Sequence, residues 1–552
     1  MKHGKMDFRE TAGLYAAAAL IRFVLFTFFP GLPDLLTARV ELSTPVTSFK
    51  RFQEGLFLYN HNVSPYDGGV FHQAPLLLPL FSLLPDPSKF PIFTNLLYIA
   101  VDLLSAHALY RIAASGEAQQ SRLFTSPRKD KRWSGHIVAA VFLLNPFTIA
   151  TCLARPTSVF TTCAILHAIA KAIAGNSFTS MLALSFAAYL SMYPLLLLPP
   201  LILLAYDRHC DADQKPSLLQ FAGKTVGIVA MSISALFSVS YLLTGSWEFI
   251  PSTYGIQLTL TDLTPNVGLW WYFFIEMFDS FRAFFLGVFW LHLSCYVGGL
   301  SIRIRSQPLV VLTLLLGIFS IFKPYPSVSD ASLFLAMVPL FRHLFPLMRY
   351  TFLAASTILY ASFLGPAFYH LWIYAGSGNA NFFYAITLVW SLGQSLLVSD
   401  LAFASLRDEW EVERPEMAGK QMNHSEWVRQ NPGKTAVLGT AGVALAAPGA
   451  VAAPVLAATG SGAQGSIAAG IQSFIGNVVA GSTFATVQSA AMGGYGVAAV
   501  NGAVQGWAAI LAATTGAAAY AEGFNQEGNG DAEENGGVEE DAEADENGEA
   551  EE

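Results

Sequence analysis

Long apolar stretches separated by short polar loops dominate the larger part of the chain. The first covers residues 11–30, close to the ~20 residues that a membrane-spanning helix needs. Others follow at about 90–113, 223–243 and 350–371, and residues 136–206 are almost continuously apolar. This pattern predicts an all-α polytopic membrane protein. Where proline interrupts an apolar stretch, as at Asn145-Pro146, it predicts short or broken helices.

The distribution of positive charge predicts which side of the membrane each loop faces. Lys2, Lys5 and Arg9 precede the first apolar stretch, and five cations lie within residues 122–132, after the second. The positive-inside rule places both segments, and therefore the N-terminus, in the cytosol. Residues 48–80, between the two stretches, are then expected on the opposite face.

Composition supports the membrane assignment and narrows the functional classes. Of the 552 residues, 53% are hydrophobic and 12% charged, against the ~25% charged that is usual in soluble domains. The net charge of −9 comes from an acidic C-terminal run, so no basic stripe suggests nucleic acid. The four cysteines are scattered, which is typical neither of a disulfide framework nor of a metal site.

Composition also divides the chain into segments. Gly and Ala dominate residues 435–520, where small residues recur at four-residue spacing, as in Gly462, Ser466 and Gly470. This spacing lets membrane helices approach closely. The expected segments are a multi-span domain (1–412), a polar linker (413–434), a Gly/Ala-rich bundle of short helices (435–520) and a disordered acidic tail (521–552).

The first large loop, residues 48–80, is the natural place to look for chemistry. In multi-pass enzymes that transfer sugars from lipid carriers, this region carries a pair of acidic residues. Here the flank upstream of it offers only Asp34 and Glu41, with no D-x-D or E-x-D. A loop of this kind without its carboxylate pair favours recognition over catalysis.

Charged residues at the edge of a later apolar stretch form a second candidate site. Glu276, Asp279 and Arg282 follow one another at three-residue spacing, which on one helix would place them on a common face. Ionisable groups at a membrane edge are usually paired or functional. The spacing leaves two interpretations open, a structural ion pair that fixes a helix end and a contact to a lipid headgroup.

A Gly/Ser/Asn-rich break at residues 375–381 is the third candidate site. Asn379 and Asn381 lie in this break, close to Tyr384. Their carboxamides can bind phosphate or sugar hydroxyls, or they can cap the helix that is expected to begin near Phe382. Spacing alone favours the cap.

Four blocks of sequence resemble one family. FQEGLFLYNHNVSPYDGGVFHQAPLLLPLF, DLTPNVGLWWYFFIEMFDSFR, IFKPYPSVSD and FYHLWIYAGSGNANFFYAITLVWSLGQSLLVSD are similar to PIG-U, a multi-pass subunit of the GPI transamidase complex, over residues 10–412. The first loop also resembles, more distantly, the GPI mannosyltransferase PIG-M of the GT-C class, through Ser64-Pro65-Tyr66. Because the acidic pair is missing, the two resemblances together imply a GT-C-like helical bundle without glycosyltransferase chemistry.

The PIG-U resemblance implies a role in the endoplasmic reticulum membrane. That complex replaces a C-terminal signal of a proprotein by a GPI lipid, and its nucleophilic cysteine belongs to a separate caspase-like subunit. The resemblance implies no catalytic residue and no cofactor in this chain, but a surface that presents the GPI lipid. The residues it implies for that surface are Asn379 first, then Asn381, Tyr384 and His370. Ser64, Pro65, Tyr66 and His72 are separate candidate site residues in the first luminal loop.

The alternatives to this function are a mannosyltransferase and a transporter. A GT-C-type mannosyltransferase that uses a lipid-linked sugar would need the absent carboxylate pair. A transporter-like scaffold would show internal repeats and paired charges at mid-membrane, and neither is clear in the sequence. Residues 436–511 weakly resemble the interferon-alpha-inducible small membrane proteins, which implies three or four short packed helices and little about function.

Overall fold

The computed structural model describes residues 2–209, 217–415, 482–491, 494 and 496–506. Most of the predicted linker, most of the Gly/Ala-rich segment and the acidic tail lie outside the described residues. The chain divides into two compact units, residues 1–415 and 416–552. In the second unit the structure describes two helices, Thr483–Ala491 and residues 496–506.

The first unit is built from helices throughout its described part. In chain order these are α1 (Lys2–Phe28), α2 (Gly31–Thr37), α3 (Phe49–Asn60), α4 (Leu77–Ser82), α5 (Pro91–Ser115), α6 (Gly135–Leu144), α7 (Pro146–Ala154), α8 (Ser158–Ile173), α9 (Ser177–Leu190), α10 (Leu198–His209), α11 (Leu218–Thr244), α12 (Ile256–Thr259), α13 (Trp270–Glu276), α14 (Asp279–Arg303), α15 (Pro308–Phe322), α16 (Val328–Met337), α17 (Thr351–Ile373) and α18 (Ala380–Glu413). Two 3₁₀ helices, Tyr193–Leu197 and Val338–Leu347, and a π-helix, Pro251–Gly255, complete the set.

The predicted multi-span architecture is confirmed. Six of the described helices are long and apolar enough to cross a membrane, or eight if each of two bent pairs is one span. One bent pair is α1 with α2, at 96°, and the other is α6 with α7, at 56°. The second bend falls at Asn145-Pro146, where the Asn145 side chain accepts a hydrogen bond from the Phe147 N–H (2.9 Å). Proline therefore breaks this span, and the asparagine caps the helix that follows.

Helices α17 and α18 form a long antiparallel hairpin that carries much of the candidate site. Gly393 of α18 faces Ile358 of α17 so closely that a Cβ on the glycine would lie 2.8 Å from the isoleucine Cγ1. Further along the hairpin, Gly365 of α17 faces Ile386 of α18 at ordinary van der Waals distance. The glycines allow close packing at one level of the hairpin and leave space at another.

Candidate functional site

A cavity of about 170 Å³ lies between α7, the α17–α18 hairpin and the segment that follows α2. Most of its lining is apolar, including Ala361 and Gly365 from α17 and Phe383, Ile386 and Trp390 from α18. The three α18 residues are spaced at helical intervals and therefore present one apolar face to the cavity. A space with such walls suits hydrocarbon better than a polar ligand.

Two charged residues, Arg39 and Glu41, lie in this otherwise apolar wall. The Glu41 carboxylate is buried, and its closest cation is Arg39, whose Nε lies 3.5 Å from Oε2. Neither carboxylate oxygen has a hydrogen-bond partner in the described part of the chain. Burial raises the pKa of Glu41, while the charge of Arg39 acts in the opposite direction. The cavity thus has one carboxylate whose hydrogen-bonding capacity is unused.

The N-terminus of α18 lies one turn before the first residue of this helix that lines the cavity. Asn379 is its N-cap, and the asparagine Oδ1 accepts a hydrogen bond from the Phe382 N–H at 3.3 Å. The preceding turn uses Gly376 at φ +63°, and the N–H groups of Ser377 and Gly378 bond to the Leu371 carbonyl at the end of α17. Asn379 therefore caps α18, as its spacing in the sequence favoured. The cap uses the side-chain oxygen and leaves the amide nitrogen of this exposed residue for another partner.

Asn381 and Tyr384 join an aromatic cluster at the same helix end. Tyr272 donates a hydrogen bond to the Asn381 Oδ1, and its ring stacks on Tyr384 with centroids 4.5 Å apart. The Tyr384 hydroxyl donates to the Leu269 carbonyl at 3.2 Å. The structure thus brings Asn379, Asn381 and Tyr384 together at the start of α18. His370 lies near the end of α17, exposed, with its ring stacked on Tyr374 at 5.4 Å.

The charged triplet at residues 276–282 does not share a helix face. Helix α13 ends at Glu276 and α14 begins at Asp279, with extended backbone at Met277 between them. Within the described residues Arg282 forms no ion pair with either carboxylate. Its guanidinium instead donates to the carbonyls of Leu260 (2.6 Å) and Thr259 (3.2 Å).

These two carbonyls explain why Arg282 is drawn away from the acidic residues. They terminate the short helix α12, where Leu260 adopts the left-handed conformation, so they have no further helical N–H to accept from. The guanidinium also lies 5.3 Å from the centroid of the Phe274 ring. The predicted side-chain ion cluster is corrected to an arginine cap on α12.

The candidate residues of the first large loop, residues 48–80, hold that loop in place. The Tyr66 hydroxyl donates to the Gln73 carbonyl at 2.9 Å, and Ser64 Oγ accepts from the Tyr66 N–H at 3.3 Å. His72 is buried, and its Nδ1–H donates to the Ser252 carbonyl at 2.8 Å. Burial lowers the pKa of His72 although this hydrogen bond opposes the change. These three residues and the buried Pro65 do not line the cavity described above.

The two carboxylates upstream of this loop differ in burial and contact different arginines. Asp34 is 82% exposed at its side chain and contacts Arg155 at 3.3 Å, whereas Glu41 is buried beside Arg39. Each carboxylate thus has its own cation, and no contact among the described residues joins them as the pair that sugar transfer from a lipid carrier would require.

Sequence reasoning did not identify the cavity or the role of Glu41 in it. The cavity is assembled from residues more than 300 positions apart, which no local pattern links. A signal for Glu41 was present, since it is a carboxylate in an apolar neighbourhood. The contact between Tyr272 and Asn381 also depends on the fold, because the two residues are 109 positions apart in the sequence.

Comparison with known proteins gives a consistent set of matches. The family model described as GPI transamidase subunit PIG-U matches residues 16–390. The human protein named GPI-anchor transamidase component PIGU is 37% identical over 412 residues, covering 71% of this chain and 93% of the human protein. GPI transamidase component GAB1 of Saccharomyces cerevisiae is 36% identical over 392 residues, with the same two coverages. The GAB1 homolog of Schizosaccharomyces pombe is 35% identical over 386 residues, covering 69% of this chain and 90% of that protein.

Proposed function

The chain belongs to the PIG-U family of GPI transamidase subunits, and from this premise we propose that it is the non-catalytic subunit that binds and presents the GPI lipid. It is a multi-pass membrane protein of a GPI transamidase, so it works with other subunits. In the proposal a caspase-like partner supplies the nucleophile. The complex lies in the endoplasmic reticulum membrane, with the N-terminus of this chain in the cytosol.

The observation that carries the proposal is an apolar cavity lying along the same helix as a polar helix end. Asn379 and Asn381 begin α18, and Phe383, Ile386 and Trp390 of the same helix line the cavity. At 1.5 Å per residue, the distance along the helix from Asn379 to Trp390 is about 16 Å. Phosphate and sugar groups would meet the carboxamides, and part of an acyl chain would meet the apolar wall.

The rival enzymatic function receives no comparable support. Sugar transfer would need two convergent carboxylates near the first loop, and Asp34 and Glu41 are engaged by different arginines. The relatives are named as components of GPI transamidase. A lipid-presenting role requires an amphipathic binding surface and no acid–base pair.

Filling the cavity tests the proposal. Gly365→Leu places a branched side chain in the cavity wall, where a Cβ would meet only Ile386 at 3.9 Å. Gly287→Leu is the matched control, because Gly287 is also inside a helix and a Cβ there meets nothing within 4 Å. Each full-length variant is expressed in cells that lack their own subunit of this family, and GPI-anchored proteins at the surface are measured by flow cytometry.

We expect Gly365→Leu to reduce surface GPI proteins at least severalfold while its abundance and co-purification with other transamidase subunits stay normal. Gly287→Leu should behave like the wild type. Full activity of Gly365→Leu would remove the cavity from the lipid site but leave the subunit assignment. Failure of the wild-type chain, if stable and correctly localised, would contradict the function itself.

A further inference from the structure

A second, polar cavity lies at the end of the molecule that the positive-inside rule predicts to be cytosolic. It has a volume of about 770 Å³ and is lined by the loop between α5 and α6 together with Arg208 at the end of α10. Four cations, Arg122, Lys129, Arg132 and Arg208, line it, against one carboxylate, Asp130, among its lining residues. Its lining therefore carries a positive net charge.

The cations of this region differ in how far carboxylates already neutralise them. Arg208 pairs with Glu117, and Arg305, outside the cavity, holds Asp207 through two hydrogen bonds of 2.7 and 2.8 Å. Arg122 reaches the same Asp207 only at 3.8 Å. Asp207 therefore pairs mainly with Arg305 and neutralises the charge of Arg122 only weakly.

Lys129 and Arg132 are both exposed, and within the described chain no carboxylate lies within 4.0 Å of either. Gly116, at φ +73°, leaves room for Arg132, since a Cβ there would lie 3.3 Å from the arginine Nη1. The cavity thus presents two uncompensated cations beside a third that is only weakly paired.

The loop that carries these cations is fixed to the rest of the unit. Arg128 pairs with Asp408 (2.7 Å) and with Glu411 near the end of α18. The buried Gln119 side chain donates to the Leu340 carbonyl at 2.7 Å. Ser121 Oγ donates to the Ser306 carbonyl at 2.5 Å. Cations on a loop anchored at three points are preorganised, so a ligand need not order them.

Helix α5 ends at this cavity, and α6 begins shortly after the cavity residue Arg132. The ends of these helices place the cavity at the level of the membrane surface. Basic pockets between membrane helices on the cytoplasmic side suit phosphorylated lipid headgroups, and arginine binds phosphate oxygens in pairs. We propose that this cavity binds the phosphorylated headgroup of an anionic membrane lipid, with Lys129 and Arg132 as the main ligands and Arg122 as the third.

Binding of a short-chain phosphatidylinositol monophosphate to the purified full-length chain in detergent tests the proposal, with short-chain phosphatidylcholine as the neutral reference. The double variant Lys129→Gln/Arg132→Gln should bind the anionic lipid at least about tenfold more weakly. Lys131→Gln is the control for the loss of a single charge, since it removes one positive charge from the same loop at a residue that does not line the cavity. This control should stay within about twofold of the wild type.

Three outcomes would overturn the proposal. Equal binding by the double variant and the wild type would remove the cavity from the interaction. An equal loss in Lys131→Gln would reduce the effect to general surface charge. Free inositol bisphosphate binding as tightly as the lipid would make a soluble phosphate, and not a membrane lipid, the ligand.

Discussion

Asn379 allows the structural and the functional role of one side chain to be separated. Its Oδ1 caps α18 through a 3.3 Å hydrogen bond, slightly longer than the usual range, and its amide nitrogen is not used by the cap. Replacing an N-cap by alanine costs about 0.5–2 kcal/mol, and the long bond argues for the lower end. Because α18 has 34 residues and packs along α17, we expect fraying of its first turn, not unfolding.

The proposed lipid contact predicts a larger effect. A hydrogen bond to a charged group such as phosphate contributes roughly 1.5–3 kcal/mol, which corresponds to about a 10- to 150-fold change in affinity. Asn379→Asp keeps a good N-cap oxygen but loses the donor and adds negative charge. We therefore expect Asn379→Ala and Asn379→Asp both to lose GPI attachment, with aspartate retaining the stability of the helix end.

The assay compares surface GPI proteins with chain abundance and subunit co-purification in cells lacking their own subunit. Ser217→Ala is the matched control, because Ser217 caps α11 through a hydrogen bond of the same 3.3 Å length and does not line the cavity. It should cost similar stability and leave attachment intact. Wild-type attachment by Asn379→Asp, with a loss of abundance in Asn379→Ala alone, would refute the lipid contact and reduce Asn379 to a cap.

Three further predictions concern other parts of the chain. Arg282→Gln should lower the free energy of unfolding, because two carbonyls ending α12 lose their donor. The loss should be about 1–3 kcal/mol at most, since the residue is partly exposed. An unchanged melting temperature with lost GPI attachment would make its role functional. Glu41→Gln should raise the melting temperature near neutral pH. The raised pKa of Glu41 means that its favourable contribution is present below about pH 4.3 and is lost as pH rises through the folded-state value. The gain over the wild type should therefore be smallest below about pH 4.3 and grow as the pH rises above it, and a difference that stays constant with pH would contradict this assignment. A chain ending at residue 415 should still restore surface GPI proteins, and loss of activity in a stable truncation would make the second unit part of the mechanism.

Features that depend on local physics could be predicted from the sequence. Hydrophobic length predicted the spans, and proline predicted the break at Asn145-Pro146, because the missing N–H acts on its own helix. The cap at Asn379 was predictable for the same reason, since an N-cap needs only the residue and the three that follow it.

The break between α13 and α14 could not be predicted from the pattern. Residues 269–292 are rich in aromatic and apolar side chains, with no proline and one glycine well inside α14, so the periodicity continues through the break. Tertiary contacts decide it: Arg282 turns to the carbonyl end of α12, and Trp270 donates to the Phe322 carbonyl at 2.8 Å. The cavity at Glu41 also depends on long-range packing.

The length of α18 separates the two proposed sites in space. Its 34 residues extend over about 50 Å, more than the ~30 Å hydrocarbon core of a bilayer. Asn379 caps the N-terminal end of α18. The C-terminal end carries Asp408 and Glu411, which bind Arg128 and so anchor the loop between α5 and α6. Asp400 accepts from the Arg349 and Tyr350 N–H groups at 2.8 Å each and so ties α18 to the start of α17. Substitutions at Lys129 and Arg132 touch none of these anchors, so any loss of anionic-lipid binding there should leave the cavity beside Gly365 intact.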